Sequence, residues 1–286
     1  MITSGTGIGW RPELALAIDR DRALSFVEIT AENHPDLARL PAHLHQLRER
    51  GVAIIPHGIS LSLGGAERIN VQTVKHLGAL AREFNSPLVS EHIAFVRAGG
   101  REAGHLLPVP RTKASLAVLV ENVKAAQDLL EVPLALENIS ALFDWPCDQR
   151  EIEEAEFIEC LLDQTGAMLL LDVANVFANT RNLGGDPIAF LTRMSKLHLA
   201  YIHMGGGYES ADGIYHDTHA HDVPQGAIDL LEELAAFSPP PGVMLERDDH
   251  FPDQASLATE LKRIRDALNR GAARLRLAGD CRSPLA

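Results

Sequence analysis

Short apolar runs, each closing on a polar residue, alternate along this chain with longer stretches whose apolar positions recur every three to four residues. The runs are GIGW (7–10), FVEIT (26–30), VAIIPHG (52–58), PLVSEHI (87–93), PLALENI (133–139), MLLLDVA (168–174), LAYIHMG (199–205) and GVMLERD (242–248). Their length and their leucine-rich or β-branched make-up read as strands. Between them, AERINVQTVKHLGALAREF, RTKASLAVLVENVKAAQDLL and DQASLATELKRIRDAL read as helices, and in DPIAFLTRM Asp186 stands as an N-cap with Pro187 at the first helical position. Repeated βα units predict an α/β fold, a (β/α)8 TIM barrel, although a doubly wound open sheet would show a similar pattern. No Pro/Gly/Ser-rich linker divides the chain. A single barrel domain is therefore expected over residues 1–275, with a flexible tail over 276–286.

One run raises a chemical question. In LLLDVANV (169–176) three leucines of buried-strand character lead into Asp172, and a buried carboxylate needs a paired cation, a hydrogen-bond donor or a metal. Taken alone, a structural partner is the ordinary answer. Taken together, Glu28, His57, His92, Glu137, Asp172, His203 and Glu246 each lie at or near the C-terminal end of a different predicted strand. In a barrel those ends share one rim. Few lysines or arginines stand there, and so many acids and imidazoles cannot share a rim without a cation among them. Mixed nitrogen and oxygen ligands suit zinc, iron or manganese better than calcium or magnesium. A bridging carboxylate would set two ions about 3.5–4 Å apart.

Composition narrows the function classes. A formal charge of −13 over 286 residues disfavours nucleic acid and anionic membranes as partners. Cys147, Cys160 and Cys281 have neither metal-type spacing nor an even count, so a reducing compartment is expected. The N-terminal MITSGTGIGWRPEL has no signal-peptide pattern and no stretch is long and apolar enough to span a bilayer, which together predict a cytoplasmic protein. After the seventh strand, HMGGGYESADGIYHDTHAHDVP offers Asp217 and His219 as a D-x-H pair whose side chains point the same way if the segment is extended. His216 and His221 read as incidental loop residues. The GGG at 205–207 lacks a phosphate-loop frame and is expected to give a substrate close backbone access. His198, at the start of a strand, reads as structural, Trp10 and Trp145 as packing, and Glu91 and Asn138 as groups that hydrogen-bond the ligands from behind.

Taken in order, VEITAENH, PHGISLSLGG, SEHIAF, HLLPVP, LENIS, LDVANVF, IHMGG, DTHAHDVP and LERDDHFP carry a resemblance across about residues 7 to 255. The chain resembles the DUF692 family, the multinuclear non-haem iron-dependent oxidative enzymes, whose barrel is similar to those of xylose isomerase and endonuclease IV. That resemblance implies His57 and His92 on one iron, Glu137 bridging to a second held by Asp172, His203 and Glu246, and a third position at Asn175, Asp217 and His219. It implies two or three irons, with Asn175 a weak ligand, and gives Glu137, Asp172 and His203 the central catalytic roles. It also implies oxidation by dioxygen of a ribosomally made precursor peptide, usually at cysteine. No segment reads as a leader-binding domain, so a separate peptide-recognition protein is an expected partner. Two departures, Gly207 where the family pattern suggests histidine and Arg247 in E-R-D where it suggests tryptophan, are expected to face the substrate. Two other classes share the residue pattern: a divalent-metal sugar isomerase or phosphoesterase, and a non-catalytic barrel.

Overall fold

The computed structural model describes residues 5–146 and 150–280. Its strands are β1 (Gly5–Gly9), β2 (Leu24–Thr30), β3 (Ala53–His57), β4 (Val89–His92), β5 (Ala94–Ala98), β6 (Arg101–Pro108), β7 (Leu134–Glu137), β8 (Met168–Asp172), β9 (Leu199–Met204), β10 (Tyr208–Glu209), β11 (Tyr215–His216) and β12 (Gly242–Leu245). β1, β2, β3, β4, β7, β8, β9 and β12 close in that order into a parallel barrel, β1 pairing with β12 through Gly5–Gly242 to Ile8–Leu245. The eight barrel strands are the eight predicted ones. β5–β6 and β10–β11 are additional hairpins at the C-terminal mouth, which the sequence pattern did not reveal.

The helices are α1 (Ala15–Arg20), α2 (Ala42–Glu49), α3 (Val71–Phe84), α4 (Lys113–Gln127), α5 (Glu154–Thr165), α6 (Val173–Leu183), α7 (Pro187–Met194), α8 (Gln225–Phe237) and α9 (Gln254–Asp280). Asp186 does cap α7, its carboxylate accepting from the amides of Ile188 and Ala189 at 2.9 and 3.1 Å. The chain is helical further than expected at its end. Arg270 and Arg274 of α9 pair with Glu232 and Glu233 of α8 at 2.6 Å each, and the helix carries through 276–280, the first half of the expected tail. Residues 281–286 lie outside the described ones.

The core has two layers. Between barrel and helices packs a large cluster that includes Ile8, Val27, Ile54, Leu136, Leu171 and Val243. Inside the barrel, Phe26, Ile55, Leu88, Ala135, Met168, Leu170, Tyr201 and Met244 fill the lumen. The barrel is plugged below and chemically loaded above, because its polar residues lie at the strand ends. Parallel register then aligns neighbours: His92 lies beside Glu137, and Asp172 beside His203.

Candidate metal centre

Two groups of potential ligands meet at Glu137. His57, His92 and Glu137 form the first; Glu137, Asp172, His203 and Glu246 form the second, with ligand atoms in each lying within 4.8 Å of one another. Glu137 Oε2 lies 3.6 Å from His57 Nε2 and 3.4 Å from His92 Nε2. Its Oε1 lies 3.2 Å from His203 Nδ1, which is also 3.2 Å from Glu246 Oε2. All six residues are buried, with Asp172 and His203 at 0% exposure.

Asp172 answers the question its position raised. One oxygen caps α6 by accepting the Asn175 amide at 2.8 Å. The other is buried without a hydrogen-bond partner, as are Glu137 Oε2, His203 Nδ1, Asn175 Oδ1, Asp217 Oδ1 and His219 Nε2. A cluster of inward-facing lone pairs that satisfy no donor is what a cation would complete. Imidazole nitrogens with carboxylate oxygens fit a transition ion such as iron, zinc or manganese.

Behind these atoms stands a second set of contacts. Glu91 accepts from the His92 amide at 2.8 Å and contacts its ring Nδ1 at 3.2 Å. Asn138 brackets Asp172, accepting its amide and donating to its carbonyl, both at 2.9 Å. Both residues thus lie where the sequence reading put them. His203 turns Nε2 to Glu28 at 3.0 Å, and His57 turns Nδ1 to Ser90 at 2.9 Å. Glu28 therefore backs the His203 ring and stands apart from both groups of potential ligands.

A third group lies on loops. His219, Glu246 and Asp248 come together, with His219 Nδ1 3.0 Å from Asp248 and 3.5 Å from Glu246. Asp217 reaches His219 Nε2 at 2.9 Å. The D-x-H segment is not extended at the histidine, whose φ is +49°; a left-handed turn brings the two side chains together. Sequence reading missed Asp248, although its spacing of two from Glu246 was a signal for the same face. It missed Arg11 as well. That guanidinium follows the first strand, donates to Asp248 and lies 3.9 Å from Glu246.

The electrostatics are those of clustered opposite charge. Burial works against a charged His92, yet Glu137 and Glu91 outweigh it and raise its pKa to about 9. Burial likewise opposes the charged imidazoles of His203 and His219, but neighbouring carboxylates, Glu28 and Glu137 for the first and Asp217 and Glu246 for the second, lift both well above the usual range. Burial would raise Glu137, but His203 and His92 hold it down to about 2. Asp172 goes the other way: burial and then the charges of Glu137 and Asp217 push it well up.

Several expectations need correction. Arg247 does not face a substrate. Its side chain is 2% exposed and turns away from the mouth to Glu260 on α9 at 2.6 Å and to Asp222 at 3.0 Å. At Gly207 a Cβ would stand 2.0 Å from the His216 carbonyl oxygen, and at Gly206 2.1 Å from that of His221. The glycines admit the chain's own loop instead of a substrate, and a histidine at 207 has no room in this arrangement. His216 and His221 belong to none of the three ligand groups among the described residues, in line with their reading as loop residues, and pack on the exposed Tyr208 with ring centroids 5.3 and 5.4 Å away. Trp10 and Trp145 pack but also donate, to His43 at 3.0 Å and to the Pro108 carbonyl at 2.8 Å. His198 is exposed at the far end of β9. Cys160 is a half-buried free thiol on α5; Cys147 and Cys281 lie outside the described residues.

The chain is similar to known proteins in sequence and in fold. A protein named UPF0276 from Streptomyces avermitilis is 50% identical over 279 residues, 95% of this chain; the chain spans 56% of that relative's length. A UPF0276 protein of Caulobacter vibrioides is 34% identical over 90% of this chain and 91% of its own. Among solved structures, an L-ribulose 3-epimerase superposes with a TM-score of 0.64 over 98% of this chain and 100% of its own at 16% identity. The fold is thus a TIM barrel of the xylose isomerase-like kind. Residues 5–269 match the RiPP precursor modification enzyme MbnB/TglH/ChrH, and with that match and those relatives the chain belongs to this family, the DUF692 family whose motifs its sequence carries.

Proposed function

We propose that the chain is a multinuclear iron-dependent oxidative enzyme that uses dioxygen to modify a ribosomally made precursor peptide at cysteine. The meeting of two buried ligand groups at Glu137, with unpartnered atoms turned inward, is the observation that carries the metal part of this reading. The family supplies the peptide. His57, His92 and Glu137 would hold one ion, and Glu137, Asp172, His203 and Glu246 a second. Asn175, Asp217 and His219 would hold a third, with Asp248 close enough to share it. Iron, when bound, supplies one-electron chemistry and an affinity for a thiolate.

The chain's own contribution is placement. Strand register fixes Glu137 between the histidines, and burial keeps water from the reacting atoms. Arg11, oriented by Asp248, offers a positive charge at the rim to a peptide carbonyl or carboxylate. The acidic surface favours a basic leader segment or recognition partner. The cytoplasm is the compartment this reading requires, since precursor peptides are made there and substrate thiols stay reduced. Among the described residues no helix is long and apolar enough to cross a membrane.

The test uses protein purified without oxygen, metal analysis, and a cysteine-bearing precursor peptide followed by mass. A mass change is expected only when ferrous iron and oxygen are both supplied, and zinc should bind without turnover. Turnover without oxygen, on zinc or manganese, would sink the oxidative reading in favour of an isomerase or phosphoesterase.

A further inference from the structure

Three buried side chains, Glu28, Tyr201 and Ser90, link the two ligand groups from beneath. Glu28 Oε2 is approached by His203 Nε2 at 3.0 Å and also accepts from the Tyr201 hydroxyl. Tyr201 Oη lies 2.8 Å from Ser90 Oγ, and Ser90 Oγ lies 2.9 Å from His57 Nδ1. None of these residues is more than 3% exposed.

The proton positions along this chain follow by elimination. A carboxylate oxygen only accepts. Tyr201 therefore spends its single proton on Glu28, and Ser90 must donate to Tyr201, since otherwise two oxygens would face each other at 2.8 Å with no proton between them. Ser90 has then spent its proton too, so His57 Nδ1 must be the N–H that donates to Ser90. The free lone pair of His57 falls on Nε2, which faces Glu137. At the other end His203 donates Nε2–H to Glu28, so the nitrogen left to give up its proton to a metal ion and offer a lone pair is Nδ1, which faces Glu137 and Glu246.

We infer that Glu28 is a positioning residue that fixes the metal-binding tautomers of two histidines in different ligand groups, His203 directly and His57 through Tyr201 and Ser90. His92 is outside the relay because Glu91 contacts its Nδ1. This inference rests on the proposed metal centre and adds an asymmetry to it. Cutting the relay at Ser90 or Tyr201 disconnects His57 alone; removing Glu28 disconnects both histidines.

Zinc is the probe, because it is diamagnetic and has no redox chemistry. Long-range proton–nitrogen NMR on the zinc-loaded full chain reads which ring nitrogen of each histidine carries the proton, and zinc titrations followed through the same rings read affinity. Wild-type protein should show His57 protonated at Nδ1 and His203 at Nε2. Ser90→Ala and Tyr201→Phe should scramble His57 and weaken zinc at its group by about 10–100-fold, the usual cost of a lost outer contact, while His203 keeps its tautomer. Glu28→Ala should weaken both groups. Wild-type tautomers and affinities in Ser90→Ala, or equal losses at both groups, would overturn the relay while leaving the metal centre standing. Wild-type protein that binds no zinc would overturn both. Should Tyr201→Phe not fold, the smaller Ser90→Ala change decides the matter alone.

Discussion

The strand-borne and loop-borne halves of the centre are built to different tolerances. His57, His92, Glu137, Asp172 and His203 sit on neighbouring barrel strands, are buried, and have their positions set by β-register and a backing layer of hydrogen bonds. His219 and Asp248 sit on loops, the first half-buried in a left-handed turn and the second exposed. A strand end cannot move without shifting its neighbours, whereas a loop can move alone. The strand-borne groups should therefore hold ions tightly, and the loop-borne group loosely.

The most damaging way to break that contrast is at the residue both strand-borne groups share. Glu137→Gln should lower strand-group affinity at least about 100-fold, taking metal content by elemental analysis below one ion per chain while circular dichroism stays unchanged. Retention of two ions would show that Glu137 does not bridge. A smaller loss is expected from His219→Ala, which should remove only the third ion. If that change strips all the metal, the loop belongs to the main site and the contrast fails. Gly207→Ala sharpens the comparison from the backbone side. Its Cβ would meet the His216 carbonyl, costing about 1–3 kcal/mol in urea unfolding, yet the strand-borne ions should stay.

The smallest effect concerns pH. His92 has a folded pKa of about 9 against 6.5 for a free imidazole, so its protonation stabilises the metal-free fold fully below about pH 6.5 and no longer above about pH 9. A metal ion must displace that proton. The rise in Tm on adding zinc should therefore widen between pH 6.5 and 8.5, and a rise independent of pH would remove His92 from the ligand set.

The barrel was legible because seven of its eight strands couple an apolar run to a polar rim residue, so pattern and chemistry point to one place. His57, His92, Glu137, Asp172 and His203 could be read that way, and Glu246, just past β12, with them. The β5–β6 hairpin could not. Its strands are largely exposed and carry no clean apolar face, although Gly99 and Gly100, both at positive φ, mark its turn. Asp248, Arg11 and the inward-packed Arg247 depend on how loops fold back over the mouth, which spacing along the chain does not encode. The glycines at 205–207 were read as openness when they are the opposite: Gly205 lies against the His219 ring, and at Gly206 and Gly207 backbone meets backbone.

Tyr201 belongs to two economies at once. Its ring meets Phe26 edge-on at 5.6 Å in the lumen, and its hydroxyl reaches Glu28 and Ser90. A phenylalanine there would keep most of the packing, so sequence drift judged by folding alone would accept it readily. Collections of variants ranked by expression or heat resistance would then be enriched in well-made proteins that no longer load metal evenly, and only a screen that counts bound ions would tell them from the native chain.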